Sequence, residues 1–319
     1  MHHRQLLPLL GLALLAGLAV TGSASARHHH GGAAPSGSAG STSGQLGPAA
    51  PSGADFSVSI PAPTTPTGAS AGGAGPAQSA TAGRGRVAIR VECAFLKMGT
   101  FDPIVFPGLD PSGHMHDFFG NTSINASSTT ATLLAANASR SATTCSNRTD
   151  GSAYWVPGLL ADGAMVMPSS VVASYSRARS TTGRAVTFPA GFTVVRGDKS
   201  ATTLQQDIGF RCGDAGPLAV APPTCTGSDL VGVVRFASCW DGVNVSAAGS
   251  THVALAVAGV CPATHPVSIP GLELAVHYPT DGLSHAWTLH SGNTAGYHAD
   301  FMNGWTQRSI RRLAGCARS

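Results

Sequence analysis

The chain has 319 residues, of which only 11% are charged, and its formal net charge is +4. Its arginines are scattered, which excludes the continuous basic face that nucleic-acid binding requires. Glu92 and Glu273 are the only glutamates, so a glycosidase built on two carboxylates would depend mainly on aspartates. The aspartates that suit this role are Asp102, Asp117, Asp241 and Asp300.

Residues 1–26 predict a secretory signal peptide. Arg4 supplies positive charge, residues 6–20 form an apolar core, and residues 24–26 (ASA) match a small-residue cleavage site. The apolar core is too short for a comfortable membrane span, and later apolar runs are short and interrupted. We therefore expect a secreted, extracellular protein with no membrane span in the mature chain.

Residues 27–86 predict a disordered linker. Gly, Ala, Ser, Pro and Thr dominate this segment, and it has too few large apolar side chains for burial to offset the entropy lost on ordering. Residues 87–319 then have a length suited to one globular domain.

Strand patterns outnumber helix patterns in this domain. Short apolar or alternating runs, bounded by Gly, Pro and Asp, predict strands at 87–91, 164–167, 192–195, 231–236, 252–257 and 272–278. Short helices are predicted at 127–138 and 305–313. The pattern predicts a mainly β protein, a single-domain β-sandwich or distorted barrel with long loops and a few short helices.

Seven cysteines in an exported domain predict disulfides. Cys212 and Cys225 flank a Gly/Pro-rich loop, and the spacing of Cys239 and Cys261 suits a second local bridge. The partners of Cys93, Cys145 and Cys316 stay open, since three cysteines allow one pair and one free thiol or an intermolecular bond. No CxxC pair is present, which argues against a cysteine-based zinc site.

Two histidine motifs contain most of the side chains in this chain that suit metal binding or proton transfer. In an extended segment the side chains of His114 and His116 project from the same face, and the same holds for His298 and Asp300. Paired imidazoles beside a carboxylate can hold a metal ion or transfer a proton. We therefore regard all four as candidate catalytic residues.

Asp241 and His252 extend this candidate set. A bridge between Cys239 and Cys261 would draw Asp241 towards His252. The alternative is a stapled loop in which Asp241 accepts backbone hydrogen bonds.

Aromatic and polar side chains near these motifs are candidates for substrate binding. Tyrosine and tryptophan rings stack on sugar rings, although they equally fill hydrophobic cores. The candidate substrate-binding residues are Asp117, Tyr154, Trp155, Trp240, Asn303 and Trp305.

The domain resembles the secreted proteins known as the domain of unknown function 1996 family. The motifs that carry the resemblance occur in the family's order, at residues 102–108 (DPIVFPG), 114–121 (HMHDFFGN), 153–157 (AYWVP), 239–242 (CWDG), 261–262 (CP), 265–267 (HPV) and 298–301 (HADF). Membership implies secretion and a single domain. Fungal members often sit beside carbohydrate-binding modules, which suggests a cell-wall or polysaccharide setting. Residues 251–255 (THVAL) lack the tyrosine that the family usually shows there.

These features together predict a hydrolase that acts on extracellular polysaccharide or cell-wall glycan through a His/Asp site. In one version an aspartate acts as acid or base. In the other, the cofactor is a divalent metal held by His116, His252 and His298, with an open position for water. The alternatives are a non-catalytic carbohydrate-binding protein and a structural cell-envelope protein.

Overall fold

The computed structural model describes residues 87–178 and 186–311 of the chain. The predicted signal peptide, the predicted linker and Cys316 lie outside these residues. Within the described ranges, no helix has the length and apolar character needed to cross a membrane.

The described residues form fifteen strands and two short α-helices. The strands are β1 (Val87–Gly99), β2 (His116–Gly120), β3 (Ala153–Pro157), β4 (Leu159–Ala161), β5 (Ala164–Val166), β6 (Ser170–Ser176), β7 (Thr193–Arg196), β8 (Ile208–Cys212), β9 (Leu230–Arg235), β10 (Cys239–Trp240), β11 (Val253–Ala254), β12 (Val267–Ser268), β13 (Gly271–Tyr278), β14 (Trp287–Leu289) and β15 (Ala299–Met302). The helices are α1 (Thr130–Ala136) and α2 (Gln307–Ile310), and short 3₁₀ turns occur at Ala248–Ser250 and Thr294–Gly296.

Nine of these strands form one large sheet in the order β7-β15-β3-β2-β1-β6-β13-β9-β8. The sheet is antiparallel throughout and curls into a half-barrel. Two three-stranded sheets, β11-β10-β12 and β14-β4-β5, complete the described structure. The predicted mainly β class is confirmed, and the distorted barrel is the closer of its two predicted forms.

The large sheet has a different hydrophobic cluster on each face. Successive side chains of a strand point to opposite faces. In β15, Phe301 therefore joins the large cluster on the inner face, whereas Met302 joins a smaller cluster on the outer face. In β3, Tyr154 packs inside and Trp155 packs outside in the same way.

Helix α1 closes the outer cluster. Thr129 caps it, because its hydroxyl oxygen accepts a hydrogen bond from the backbone N–H of Thr132 at 3.2 Å. Leu133 is the helix residue that is fully buried, and it packs with Ile124 and Phe118. Helix α1 lies inside the predicted range 127–138 and is shorter at both ends.

Three disulfides staple the sheets. The predicted bridges Cys212–Cys225 and Cys239–Cys261 are confirmed. The structure also pairs Cys93 with Cys145, which ties β1 to the segment before β3.

Candidate metal centre

Three imidazoles from two distant segments meet on the outer face of the large sheet. His114 precedes β2, His116 begins it, and His298 lies immediately before β15. The ring centroids of His114 and His116 are 4.2 Å apart, and that of His298 lies 5.2 Å from His114 and 6.2 Å from His116. One potential ligand atom from each of the three lies within 4.8 Å of the others. We call these residues the histidine triad.

The triad forms above strand β3, which separates β2 from β15. Neighbouring strands lie about 4.8 Å apart, so the backbones of β2 and β15 are about 10 Å apart. The rings of His116 and His298 are closer than that, because they lean towards each other across β3. Pro157, the partner of His116 in β3, occupies the position between them.

Backbone carbonyls orient two of the three rings. The Nδ1 atom of His116 lies 3.2 Å from the carbonyl oxygen of Phe101, and that of His298 lies 2.8 Å from the carbonyl oxygen of Gly296. A carbonyl oxygen only accepts, so in the neutral ring the proton resides on Nδ1 and the lone pair on Nε2. Histidines that ligate metals are oriented in this way.

Several buried polar atoms on this face have no hydrogen-bond partner among the described residues. They are the Nε2 atoms of His114 and His116, both carboxylate oxygens of Asp300 and the indole nitrogen of Trp155. Buried polar groups are otherwise nearly always hydrogen-bonded, so a group of unsatisfied ones needs an explanation. A bound cation with its water would satisfy them together.

Asp300 and Asp102 place carboxylates next to the triad. Asp300 is 1% exposed, and its carboxylate lies within 4.8 Å of potential ligand atoms of both His116 and Asp102. Asp102 also has a turn-forming role, since its Oδ1 atom accepts hydrogen bonds from the backbone N–H groups of Ile104 and Val105 at 3.0 Å. His116 therefore belongs to a three-imidazole group and to a mixed imidazole–carboxylate group.

Burial keeps this cluster largely uncharged in the absence of a cation. It lowers the pKa of His114 to about 4, with smaller contributions from His298, Lys199 and His290. Burial also lowers the pKa of His116 and His298, and it raises the pKa of Asp300, to which the nearby charge of Asp102 adds. The imidazoles are consequently neutral at physiological pH, which is the form that binds a metal.

Residues that flank the small sheet β14-β4-β5 fix the His114–His116 segment by hydrogen bonds. The N–H of Gly158 donates to the carbonyl of Met115 at 2.9 Å, and the N–H of His290 donates to the carbonyl of Gly158 at 2.8 Å. The N–H of Met115 in turn donates to Nδ1 of His290 at 3.1 Å. This last bond leaves the proton of the neutral His290 ring on Nε2, and His290 itself is exposed at the edge of the site.

Residues 197–199 line the opposite edge, beside His298. Gly197 has φ +111°, and a Cβ atom there would lie 2.8 Å from the Cβ of His298, so only glycine allows this approach. Lys199 is exposed, and its charge acts on both His114 and His298.

Asp241 and His252 lie away from the triad. Asp241 accepts hydrogen bonds from the backbone N–H groups of Val243 and Asn244 at 2.8 and 2.9 Å, which is the turn role considered as the alternative. His252 is 1% exposed and packs against Phe192, with ring centroids 5.4 Å apart. Phe192 belongs to the inner cluster, on the opposite side of β15 from Asp300. The structure therefore places His114 in the position expected of His252 in a three-histidine metal site.

Most of the predicted substrate-binding aromatics are core residues. Trp155 and Trp305 are 0% and 1% exposed, so neither presents a ring face to a ligand in solution. Tyr154 is also buried and belongs to a chain of hydrogen bonds with Asp150, Tyr175 and Trp305. Trp240 is half-buried, and its indole N–H donates to the carbonyl of Asn244.

The remaining two predicted substrate-binding residues are also buried. Asn303 accepts a hydrogen bond from the N–H of Trp305 at 3.1 Å and stabilises the turn after β15. Asp117 points to the inner face, where its charge acts on Tyr278 and Tyr297. It is 0% exposed and thus separated from the triad by the sheet.

Sequence reasoning overlooked His290 and Lys199. Neither belongs to a motif with spacing that indicates chemistry, and only the tertiary fold brings them to the edges of the triad. Their position beside the triad is a property that sequence alone could not supply.

The fold and site define a disulfide-stapled, mainly β protein with a buried three-histidine cluster. Residues 102–305 match the family model described as domain of unknown function (DUF1996). The match covers more than half of the chain, so the protein belongs to this family, and the resemblance noted from its motifs is confirmed. Comparisons with curated proteins and with solved structures give no significant match.

Proposed function

We propose that this protein is a secreted, metal-dependent hydrolase that acts on extracellular polysaccharide or cell-wall glycan. The observation that carries the proposal is the convergence of the histidine triad, whose ligand atoms lie within 4.8 Å of one another. Nε2 of His114, Nε2 of His116 and both oxygens of the neighbouring Asp300 have no hydrogen-bond partner among the described residues. Such a set of neutral nitrogen donors next to a carboxylate matches the preferences of zinc.

The spacing of the triad suits a metal with tetrahedral geometry. Zinc–nitrogen bonds of about 2.0–2.1 Å place two nitrogens on one zinc ion about 3.4 Å apart. The separations in the triad therefore need only small side-chain rotations to reach ligand distance. Three protein ligands leave a fourth position for water or substrate, as in catalytic zinc sites.

When bound, a divalent cation would polarise a substrate oxygen or lower the pKa of a water molecule. His116 and His298 would hold their Nε2 lone pairs towards the cation, because carbonyl groups engage Nδ1. Asp300 would become ionised beside the positive charge and accept a proton from water. His290 presents an Nε2–H at the accessible edge of the site, suitable for donating a hydrogen bond to a substrate oxygen.

Export is supported by two features. Three disulfides form in the described part of the chain, and disulfides persist in oxidising compartments. The N-terminal sequence matches a signal peptide. The glycan substrate rests on the family's setting beside carbohydrate-binding modules.

The first test is metal content. Protein loaded with zinc and desalted should retain about one equivalent by elemental analysis, and the His116→Ala and His298→Ala variants should retain almost none. His265→Ala is a matched control, because that half-buried imidazole already bonds to Thr264 and to the carbonyl of Thr251. Wild-type protein that holds less than about half an equivalent of any transition metal would contradict the proposal.

The second test is activity on glycans. The metal-loaded protein should release reducing ends from at least one member of a panel of chitin, cellulose, β-1,3-glucan and peptidoglycan, and chelation should abolish the release. Full activity in both His116→Ala and His298→Ala would remove the triad from the reaction.

A further inference from the structure

A cavity of about 1440 Å³ opens on the outer face of strands β6, β13 and β9, and none of the triad residues lines it. Its floor is a row of side chains that runs across the strands. Arg90, Ser174, Glu273 and Arg235 are cross-strand partners on the neighbouring strands β1, β6, β13 and β9. Parts of the segments 204–207, 214–218 and 255–261 form its walls.

The floor combines arginines with carboxylates. Arg235 contacts Glu273 through Nε and Asp207 through Nη1, the latter at 3.0 Å. The side chains of Glu273 and Asp207 are still 26% and 34% exposed. A carboxylate accepts up to about four hydrogen bonds and a guanidinium donates five, so Glu273 and Arg235 retain sites for ligand hydroxyls.

Part of the wall surface is small and apolar. Ala215, Pro217, Leu218 and Val260 line the cavity above the charged floor. Polar groups with directional hydrogen bonds below and apolar surface above suit the hydroxyls and the C–H faces of a sugar ring. The volume exceeds the roughly 300–1,000 Å³ of typical small-ligand pockets, which indicates a ligand larger than a single sugar.

One end of the cavity lies beside the segment that carries His298. Gln205 lines the cavity, and its amide group donates to the carbonyl oxygens of Ala295 and Tyr297 at 2.8 and 3.1 Å. Tyr297 directly precedes His298. The loop 198–207 therefore borders both the cavity and, through Lys199, the triad.

We infer that this cavity is a binding cleft for an uncharged oligosaccharide segment of the glycan. Four arginines and three carboxylates line the cavity (Arg90, Arg177, Arg211, Arg235, Asp207, Asp214 and Glu273). This near balance argues against a polyanion, and the size argues against a single sugar. The choice of a carbohydrate rests on the proposed function, whereas the cleft itself contains no triad residue and can bind independently of the metal.

Calorimetric titration with chitohexaose, cellohexaose and laminarihexaose tests this inference on the full chain. At least one of them should bind. Replacing small wall residues with Trp fills the cleft from either side, so Ala215→Trp and Val260→Trp should each weaken binding roughly tenfold or more. Val243→Trp is the matched control, since Val243 is 77% exposed and does not line the cleft.

His298→Ala separates this inference from the proposed function. It should lose the metal yet bind the oligosaccharide as tightly as the wild type. The inference fails if none of the three oligosaccharides binds, or if both wall variants, with wild-type melting temperatures, bind unchanged. Wild-type, metal-loaded protein that binds the oligosaccharide but does not hydrolyse any glycan would leave the cleft in place and count against the hydrolase alone.

Discussion

Asp117 allows a quantitative test, because it is a carboxyl group buried without a partner. It lies on the inner face of β2, it is 0% exposed, and neither of its oxygens has a hydrogen-bond partner among the described residues. Burial raises its pKa from the ordinary 3.8 to about 7. The folded protein therefore holds the proton of Asp117 more tightly than the unfolded chain does.

The sign follows from proton linkage. A raised pKa in the folded state makes the protonated form stabilising, so stability is fully present below about pH 4 and falls as the pH rises to about 7. The difference between 3.8 and about 7 corresponds to about 4 kcal/mol at roughly 1.4 kcal/mol per pH unit. Asp117→Asn replaces the carboxyl with a neutral group of the same shape and removes this penalty.

We expect Asp117→Asn to raise the free energy of unfolding by up to about 4 kcal/mol near pH 8 and to leave it nearly unchanged near pH 4. Urea denaturation of both proteins at several pH values, with a chelator present, measures the difference without a contribution from bound metal. Asp150→Asn is the contrasting variant, because Asp150 accepts a 2.6 Å hydrogen bond from the hydroxyl of Tyr154 and should lose stability. An effect of Asp117→Asn that is the same at both extremes of pH would refute the reasoning.

Four further predictions follow from burial, cross-linking and charge. Leu133→Ala leaves a cavity in the outer cluster and should cost about 2–5 kcal/mol in urea denaturation, and a loss below about 1 kcal/mol would mean that the helix packs loosely. The double variant Cys93→Ser with Cys145→Ser opens a link between residues 52 apart and should lose about 4 kcal/mol of stability, whereas an unchanged melting temperature would show that the bridge constrains little. Gly304→Ala drives a Cβ atom into the carbonyl of Gly151 and should destabilise the fold by about 1–3 kcal/mol or more, which a thermal melt would detect. Asp300→Asn removes the charge that balances the cation and should weaken zinc binding roughly 10–100-fold in a competition assay with a chromogenic chelator, and equal affinity would place Asp300 outside the metal's influence.

The local part of the site was predictable, because it depends on residues close in sequence. His114 and His116 are separated by one residue, and their rings lie together as the alternation of an extended chain predicts. The convergence of His298 with His116 was also anticipated. In contrast, His252 lies in the loop that the Cys239–Cys261 bridge closes, and only the fold determines the path of this loop. His252 packs against Phe192 of the inner cluster instead.

Strands β2 and β3 were not predicted, although β2 begins with His116 and β3 lies directly beneath the triad. Every residue in both strands is buried, so neither shows the polar–apolar alternation that identifies a half-exposed strand. The same burial explains why the role of the aromatic residues could not be read from the sequence. Trp155 and Trp305 occur beside polar and small residues in a pattern that fits a sugar platform and a core equally well, and only the packing distinguishes the two.

The large sheet acts as a partition, since most of the hydrophobic core packs against one side and the triad against the other. Directed evolution can use this division. A library confined to inner-face positions such as Phe301 should improve heat tolerance without touching the imidazoles. Libraries on the outer face, around Phe118 and Met302, would alter thermal stability and the properties of the triad together.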